Sequence, residues 1–302
     1  MQFHNKAPFL FRPAQVIRRL CRYLGKPPAG LVKVVLPWRL ALDVNPHETI
    51  GRTVWNTGVH DLAVCEILCR LAQPGEVAVD IGANIGIMSS LLAVSVGENG
   101  KVFSFEPHTD LCPRLHANAA SWMATKGVAQ IIVGQVAISS AEGTAFLVAG
   151  PDFANNEGTA SLKKAGSAAE PGKTVAIQTT TLAKALAGYP KVGVVKIDVE
   201  GHESEVFQGS LDLLSQRALR DIVFEDSTGA IAQIAELLWS HGYSIYLIEE
   251  TLLRPVLKPI RNPEELRLGY AYANYLATAE PERVMRLLDK AGWSALRFKV
   301  SA

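Results

Sequence analysis

The sequence predicts an α/β fold in which a mostly parallel, seven-stranded sheet carries helices on both faces. Three observations point there. From residue 77 onward, apolar stretches of strand length alternate with stretches of helical period. The first of these strands runs into a glycine-bearing turn, Gly82 to Gly86, that opens a helix. Carboxylates stand where strands end, at Asp80, Glu106, Asp198 and Glu225, the side of an open parallel sheet on which ligands sit.

A chain of 302 residues allows one large domain with extensions, and with 48% apolar and 20% charged residues it can bury a core. Thirty basic against 29 acidic residues leave a formal charge of +1. That balance gives no general reason to expect nucleic acid or an anionic membrane as partner. The exception is local, because Lys6, Arg12, Arg18, Arg19, Arg22, Lys26, Lys33 and Arg39 all precede the first acid, Asp43. A helix over 13–24 would gather Val16, Ile17, Leu20 and Leu24 on one face. It is expected to be a solvated helix leaning on the core or lying over the active-site mouth, with peripheral membrane contact as the competing reading. No secretory leader and no 18-residue apolar run is recognised. Cys21, Cys65, Cys69 and Cys112 are too few for a disulfide framework and suit a reducing cytoplasm. Cys65 and Cys69, one helical turn apart in an apolar pattern, read as small buried hydrophobes, and no metal site is expected.

Residues 1–58 read as a basic, proline-interrupted N-terminal extension with short strands at 31–36 and 40–44, and residues 59–302 as the main domain. A helix over 61–71 is closed by Pro74 and Gly75. There follow a strand at 77–80, a helix at 85–96, a strand at 101–105, a helix at 109–120 and one long or two short strands at 128–137. The interval 139–180, rich in Gly, Ala, Ser and Thr, breaks the alternation. Strands at 144–148 and 174–180 are expected to form a hairpin around an inserted mobile loop at about 149–173. Alternation resumes with a helix at 182–187, a strand at 192–199, a helix at 203–214, a strand at 221–225, a helix at 230–241 and a strand at 244–248. Proline and charge over 254–265 predict a surface loop. A last strand at 271–276 and a helix over 280–291, begun by Pro281, complete the chain.

The turn after the first parallel strand reads Asp80-Ile-Gly82-Ala83-Asn84-Ile-Gly86. Glycines let backbone pass close to a ligand, and the helix that follows aims unpaired N–H groups at it. A dinucleotide site would place glycine where Asn84 stands, to make room for a pyrophosphate. S-adenosylmethionine has no phosphate, so Asp80-x-Gly82-x-x-x-Gly86 favours that methyl donor, with Asp80 near its amino-acid end. Glu106, followed by Pro107, ends the next strand 26 positions later; a carboxylate there can accept both ribose hydroxyls. An NAD-dependent oxidoreductase is the competing enzyme class, and a non-catalytic cofactor-binding protein the competing non-enzyme class.

The most specific block is Lys196-Ile-Asp198-Val-Glu200-Gly-His202-Glu203. Together with the glycine turn, Phe105-Glu106-Pro107 and Asn118, it resembles the FkbM family of methyltransferases over about 77–276. The resemblance implies a Rossmann-like class I methyltransferase that uses S-adenosylmethionine. The reaction it implies is O-methylation of a hydroxyl on a sugar, glycan, lipid-linked saccharide or natural product. Asn155-Asn156-Glu157-Gly158 is similar to a loop of that family before the block. Ala183 stands where the family often carries an acid after Thr-Leu, which casts doubt on a substrate role there. Methyl transfer to oxygen needs an aligned nucleophile and an acceptor for its proton. Asp198 or His202 is expected to take the proton while Lys196 and Glu200 orient the acceptor. Asp198 and Glu200, alternating with Ile197 and Val199, would share one face of an extended strand. Glu203 reads as a structural acid at a helix start. Glu225 and Asp226 are held as secondary candidates for substrate contact.

Overall fold

A computed structural model of the protein describes residues 27–148, 161–163, 174–226, 230–266 and 273–297. The basic 13–24 segment, Cys21 and Asn155 to Gly158 lie outside the described residues. The described chain enters as an antiparallel hairpin, β1 (Val32–Val35) and β2 (Ala41–Val44). Its tip buries Trp38, whose indole N–H donates to Ser90 Oγ at 2.9 Å. Helix α1 (Thr49–Thr57) is started by Glu48, which accepts from the Ile50 and Gly51 amides, and is ended by Gly58 in the left-handed region. Helix α2 (Leu62–Leu71) begins at Asp61, which accepts from the Val64 amide.

The central layer follows. Strands β3 (Val77–Ile81), β4 (Lys101–Phe105) and β5 (Gln130–Gly134) are joined by α3 (Ile87–Val96) and α4 (Leu111–Met123). A smaller layer interrupts them, with β6 (Ala137–Ile138), β7 (Gly143–Val148), β8 (Ser161–Lys163) and β9 (Thr174–Thr180). The 128–137 segment is thus two strands, and β7 and β9 pair antiparallel. After α5 (Leu182–Ala185) come β10 (Val192–Ile197), α6 (Glu203–Gln208), α7 (Leu211–Ser215), β11 (Leu219–Asp226) and α8 (Ile231–Ser240). Strands β12 (Ser244–Glu250) and β13 (Pro255–Ile260), helix α9 (Pro263–Leu266), β14 (Ala273–Thr278) and α10 (Pro281–Leu288) finish the fold.

The main sheet has the order β13-β12-β14-β11-β10-β3-β4-β5. Strands β5, β4, β3, β10 and β11 run parallel, and β14 enters antiparallel between β11 and β12. This is a Rossmann-like α/β sheet with its chain reversal between β3 and β10. Among the described residues it holds eight strands rather than the expected seven. The additional one, β13, comes from the segment read as a surface loop; it pairs only with β12, at the sheet edge. Pro255 and Pro259 are tolerated there because an edge strand can leave donors out of the ladder.

One face of the sheet is covered by the hairpin, α1 to α4 and α10, the other by α5 to α9, and each face has its own apolar cluster. Helix α3 is buried along its whole length, hydrophobic on every side, because it lies between sheet and hairpin. The expected helix over 203–214 breaks at Gly209, where a side chain would meet the Ser139 carbonyl oxygen at 2.0 Å. Among the described residues, no helix is long and apolar enough to cross a membrane.

Candidate active site

The carboxyl ends of β3, β4, β10 and β11 enclose a cavity of about 430 Å³. That volume and position suit a small-molecule site at a chain-reversal point. The β3 turn forms one wall. Gly82 and Ala83 amides donate to the Phe105 carbonyl at 2.9 and 3.0 Å, and the Asp198 amide donates to the Ile81 carbonyl at 2.9 Å. These bonds tie the turn to both neighbouring strands. A Cβ on Gly82, at φ +79°, would stand 1.7 Å from the Asp198 carbonyl oxygen. Asn84 is also left-handed, at φ 51°, a conformation its short amide side chain tolerates. Gly86 does not line the cavity. A side chain there would strike Leu115 and Trp122, so this glycine sets the approach of α3 to α4.

Asp80 lies at the cavity floor with one oxygen accepting from Ser89 Oγ at 2.5 Å; its Oδ1 is buried with no hydrogen-bond partner. Burial pushes its carboxyl up, opposed by Lys196 and by the Ser89 hydrogen bond. Glu106 accepts from the Asn84 amide at 2.8 Å and the His108 amide at 2.9 Å, one per oxygen. Each oxygen keeps a lone pair. Burial outweighs those bonds and pushes Glu106 up to about 7. Pro107 lines the wall beside it.

Lys196 is buried and donates to Asp198 Oδ2 at 2.5 Å. Burial alone would lower its ammonium, but Asp198 and Asp80 outweigh burial and hold it above the usual value. Asp198 and Glu200 both line the cavity, though not by strand alternation. Strand β10 ends at Ile197, and Glu200 and Gly201 turn the chain through left-handed conformations, at φ 50° and 95°. Glu203 stabilises that turn by accepting from the Val199 and Gly201 amides. Burial first, then Asp198, pushes Glu200 up to about 7 and Glu225 to about 8. Glu225 joins the lining, whereas its neighbour Asp226 accepts from the Ala230 and Ile231 amides at the start of α8.

His202 is not brought to the cavity. It is buried at the start of α6, its Nε2 2.9 Å from Ser139 Oγ and its Nδ1 3.7 Å from Glu205. It fastens the block at the end of β10 to the small sheet, whose Ala137, Ile138 and Leu147 form the opposite wall.

The chain matches the family model of the methyltransferase FkbM domain over residues 80–245, more than half of its 302 residues. It belongs to the FkbM family of methyltransferases. Hexuronic acid methyltransferase AglP of Haloferax volcanii is 30% identical over half of this chain and 56% of its own length. The 31-O-demethyl-FK506 methyltransferase FkbM of Streptomyces tacrolimicus is 28% identical over 60% of this chain and 77% of its own. This chain therefore spans little more than half of the first of these relatives. Among solved structures, it is similar to methyltransferase FkbM from Methylobacillus flagellatus KT at 14% identity, with 73% of this chain and 55% of that one covered and a TM-score of 0.45.

In this FkbM-family chain the cavity also takes in residues that sequence reasoning passed over: Thr49 and Ile50 from α1, and His60. His60 precedes Asp61 in the turn between α1 and α2 and lies far along the chain from Lys196. No local pattern marks it. Its Nδ1 is buried without a hydrogen-bond partner. Burial holds its imidazole below the ordinary value, with Asp61 and Asp198 opposing and Lys196 reinforcing. Among the described residues the wall is acid-rich, with Asp80, Glu106, Asp198, Glu200 and Glu225 against the one ammonium of Lys196.

Proposed function

We propose that this protein is an S-adenosylmethionine-dependent O-methyltransferase acting on a hydroxyl of a sugar, glycan, lipid-linked saccharide or natural product. The observation that carries this reading is the meeting, in one cavity, of the Asp80–Glu106 wall and the Lys196-Asp198-Glu200 block. The residues present fit the methyl donor. Asp80 offers a buried, unpartnered oxygen, Glu106 keeps a free lone pair on each oxygen for a diol, and the excess of carboxylates suits a sulfonium cation. Asp80, Gly82, Ala83, Asn84, Glu106 and Pro107 would hold it. Bound there, it supplies an electrophilic methyl group.

The chain's own part is alignment. Lys196 holds Asp198, and Asp198 with Glu200 fixes the acceptor hydroxyl by accepting from the hydroxyls around it. Glu225, which keeps its proton at neutral pH, donates. The acceptor class follows the two relatives, one named for hexuronic acid and one for 31-O-demethyl-FK506.

Calorimetry with S-adenosylmethionine and NAD, and labelled-methyl transfer to glucuronic acid, a glucuronic-acid-terminated oligosaccharide and 31-O-demethyl-FK506, test the proposal. Binding of the methyl donor and not NAD is expected, with transfer to at least one acceptor. Asp198→Asn should keep donor binding and lose about 100-fold or more in turnover. Binding of NAD alone would refute this reading, and full turnover by Asp198→Asn would refute the aligning role of Asp198.

A further inference from the structure

We propose that His60 is the general base that removes the proton of the acceptor hydroxyl during methyl transfer. The proposal rests on the O-methyltransferase reading above and adds a residue outside the 80–245 range that the family model matches.

Four observations carry it. His60 lines the same cavity as Asp80, Lys196 and Asp198. Its Nδ1 is buried, and no protein group pairs with it. Buried polar atoms without partners are rare in folded proteins, and the ring that carries this one lines the cavity wall. The backbone that carries the ring is held in place, since the His60 carbonyl accepts from Cys65 Sγ at 3.2 Å and Asp61 starts α2 from a left-handed conformation. The other expected bases are engaged: Asp198 by the Lys196 ammonium, and His202 by Ser139 on the small sheet.

The charges around His60 suit the task. Asp61 stands beside it on the same turn, and Asp198 and Lys196 face it from β10 and its end. Glu225 on β11 acts on Asp61, Asp198 and Lys196, and Glu250 on β12 acts on Asp61. Burial keeps the imidazole neutral and able to accept at neutral pH, and Asp61 and Asp198 stabilise the imidazolium once formed. In the step, the acceptor oxygen forms its bond to the methyl carbon as the carbon–sulfur bond breaks and its electron pair stays on sulfur. The oxygen's proton passes to the His60 imidazole, and the imidazolium returns it to water after the methyl ether leaves.

The test uses the full chain with isotope-labelled histidine. His60→Gln identifies the His60 resonances by their loss. At about pH 7 the His60 imidazole is expected to be neutral, and to shift on saturation with S-adenosylmethionine. His60→Gln should bind S-adenosylmethionine within about threefold of wild type, and transfer methyl to the accepted acceptor about 100-fold to 10,000-fold more slowly. The wild-type rate should rise with pH through the His60 titration, a limb absent from His60→Gln. Added imidazole should restore part of the rate to His60→Ala, an effect that a purely structural role would not produce. Turnover by His60→Gln close to wild type overturns the assignment, as does an imidazole protonated at neutral pH or indifferent to the methyl donor. If the wild type methylates none of the acceptors, the acceptor reading falls and the resonance measurements alone decide the role of His60.

Discussion

At Gly82 and Gly75 the backbone adopts the same left-handed conformation, φ +79° and +85°, yet only Gly82 has a neighbour where a side chain would begin. Gly75→Ala should therefore cost about 1–2 kcal/mol, the strain of an L-residue in that region. Gly82→Ala must in addition displace the Asp198 carbonyl, so a loss of about 3 kcal/mol or more is expected, together with weaker binding of S-adenosylmethionine. Urea unfolding and calorimetry on the two variants measure this, and equal costs would mean that the close approach does not matter. The turn was legible as a glycine turn, and Asp80 and Glu106 were legible as strand-end acids, because both follow from local period and turn chemistry. The work of the glycines was not. Gly82 makes room for β10 and Gly86 for α4, and both partners lie far along the chain.

Helix α2 shows how an element is anchored by a group the sequence marks only as an acid in an apolar face. Glu66 is fully buried and accepts from Arg70 Nε at 2.6 Å and from the Ser294 and Ala295 amides at 2.7 Å each. It thereby fixes the short C-terminal turn, Ser294–Leu296, against α2. Glu66→Ala takes the counter-charge from the Arg70 guanidinium, left with the backbone carbonyls of Leu287, Lys290 and Gly292, and leaves two buried amides unpaired, which should cost about 3–5 kcal/mol. Hydrogen exchange at Ser294 and Ala295 should accelerate, while exposed Glu236→Ala on α8 changes stability by less than about 0.5 kcal/mol. Unchanged exchange at the two amides would refute the anchoring role. Periodicity located α2 to within a residue, but missed that proline-bearing 255–260 is an edge strand, since pairing with β12 is a long-range event. It also ran α6 and α7 together, because the Ser139 carbonyl that crowds Gly209 comes from another layer.

Across the whole molecule, burial raises four glutamates: Glu106, Glu200 and Glu225 of the cavity wall to about 7, 7 and 8, and Glu250 at the end of β12 to about 7. Each is raised above its unfolded value, so between about pH 4.5 and 8 these four groups bind more protons in the folded chain than in the unfolded one. The contribution of these groups to stability is therefore greatest in acid and falls as pH rises. Glu225→Gln removes one such group and should gain thermal stability relative to wild type on going from about pH 5.5 to about pH 8.5. Scanning both proteins at both pH values measures this, and a constant difference in Tm would refute it. The methyl donor, a cation, should stabilise the wild type more at the higher pH, where the wall is more negative. The order and type of most elements, the α/β sheet, the strand-end carboxylates and the family block at Lys196 to Glu203 can be read along the chain, because strand and helix periods and turn chemistry act over a few residues. The eighth strand β13, the hold of His202 on the small sheet and the meeting of His60 with Lys196 and Asp198 at one cavity exist only in the folded molecule. Burial, close approach and the pairing of charges depend on residues that only the folded chain brings together.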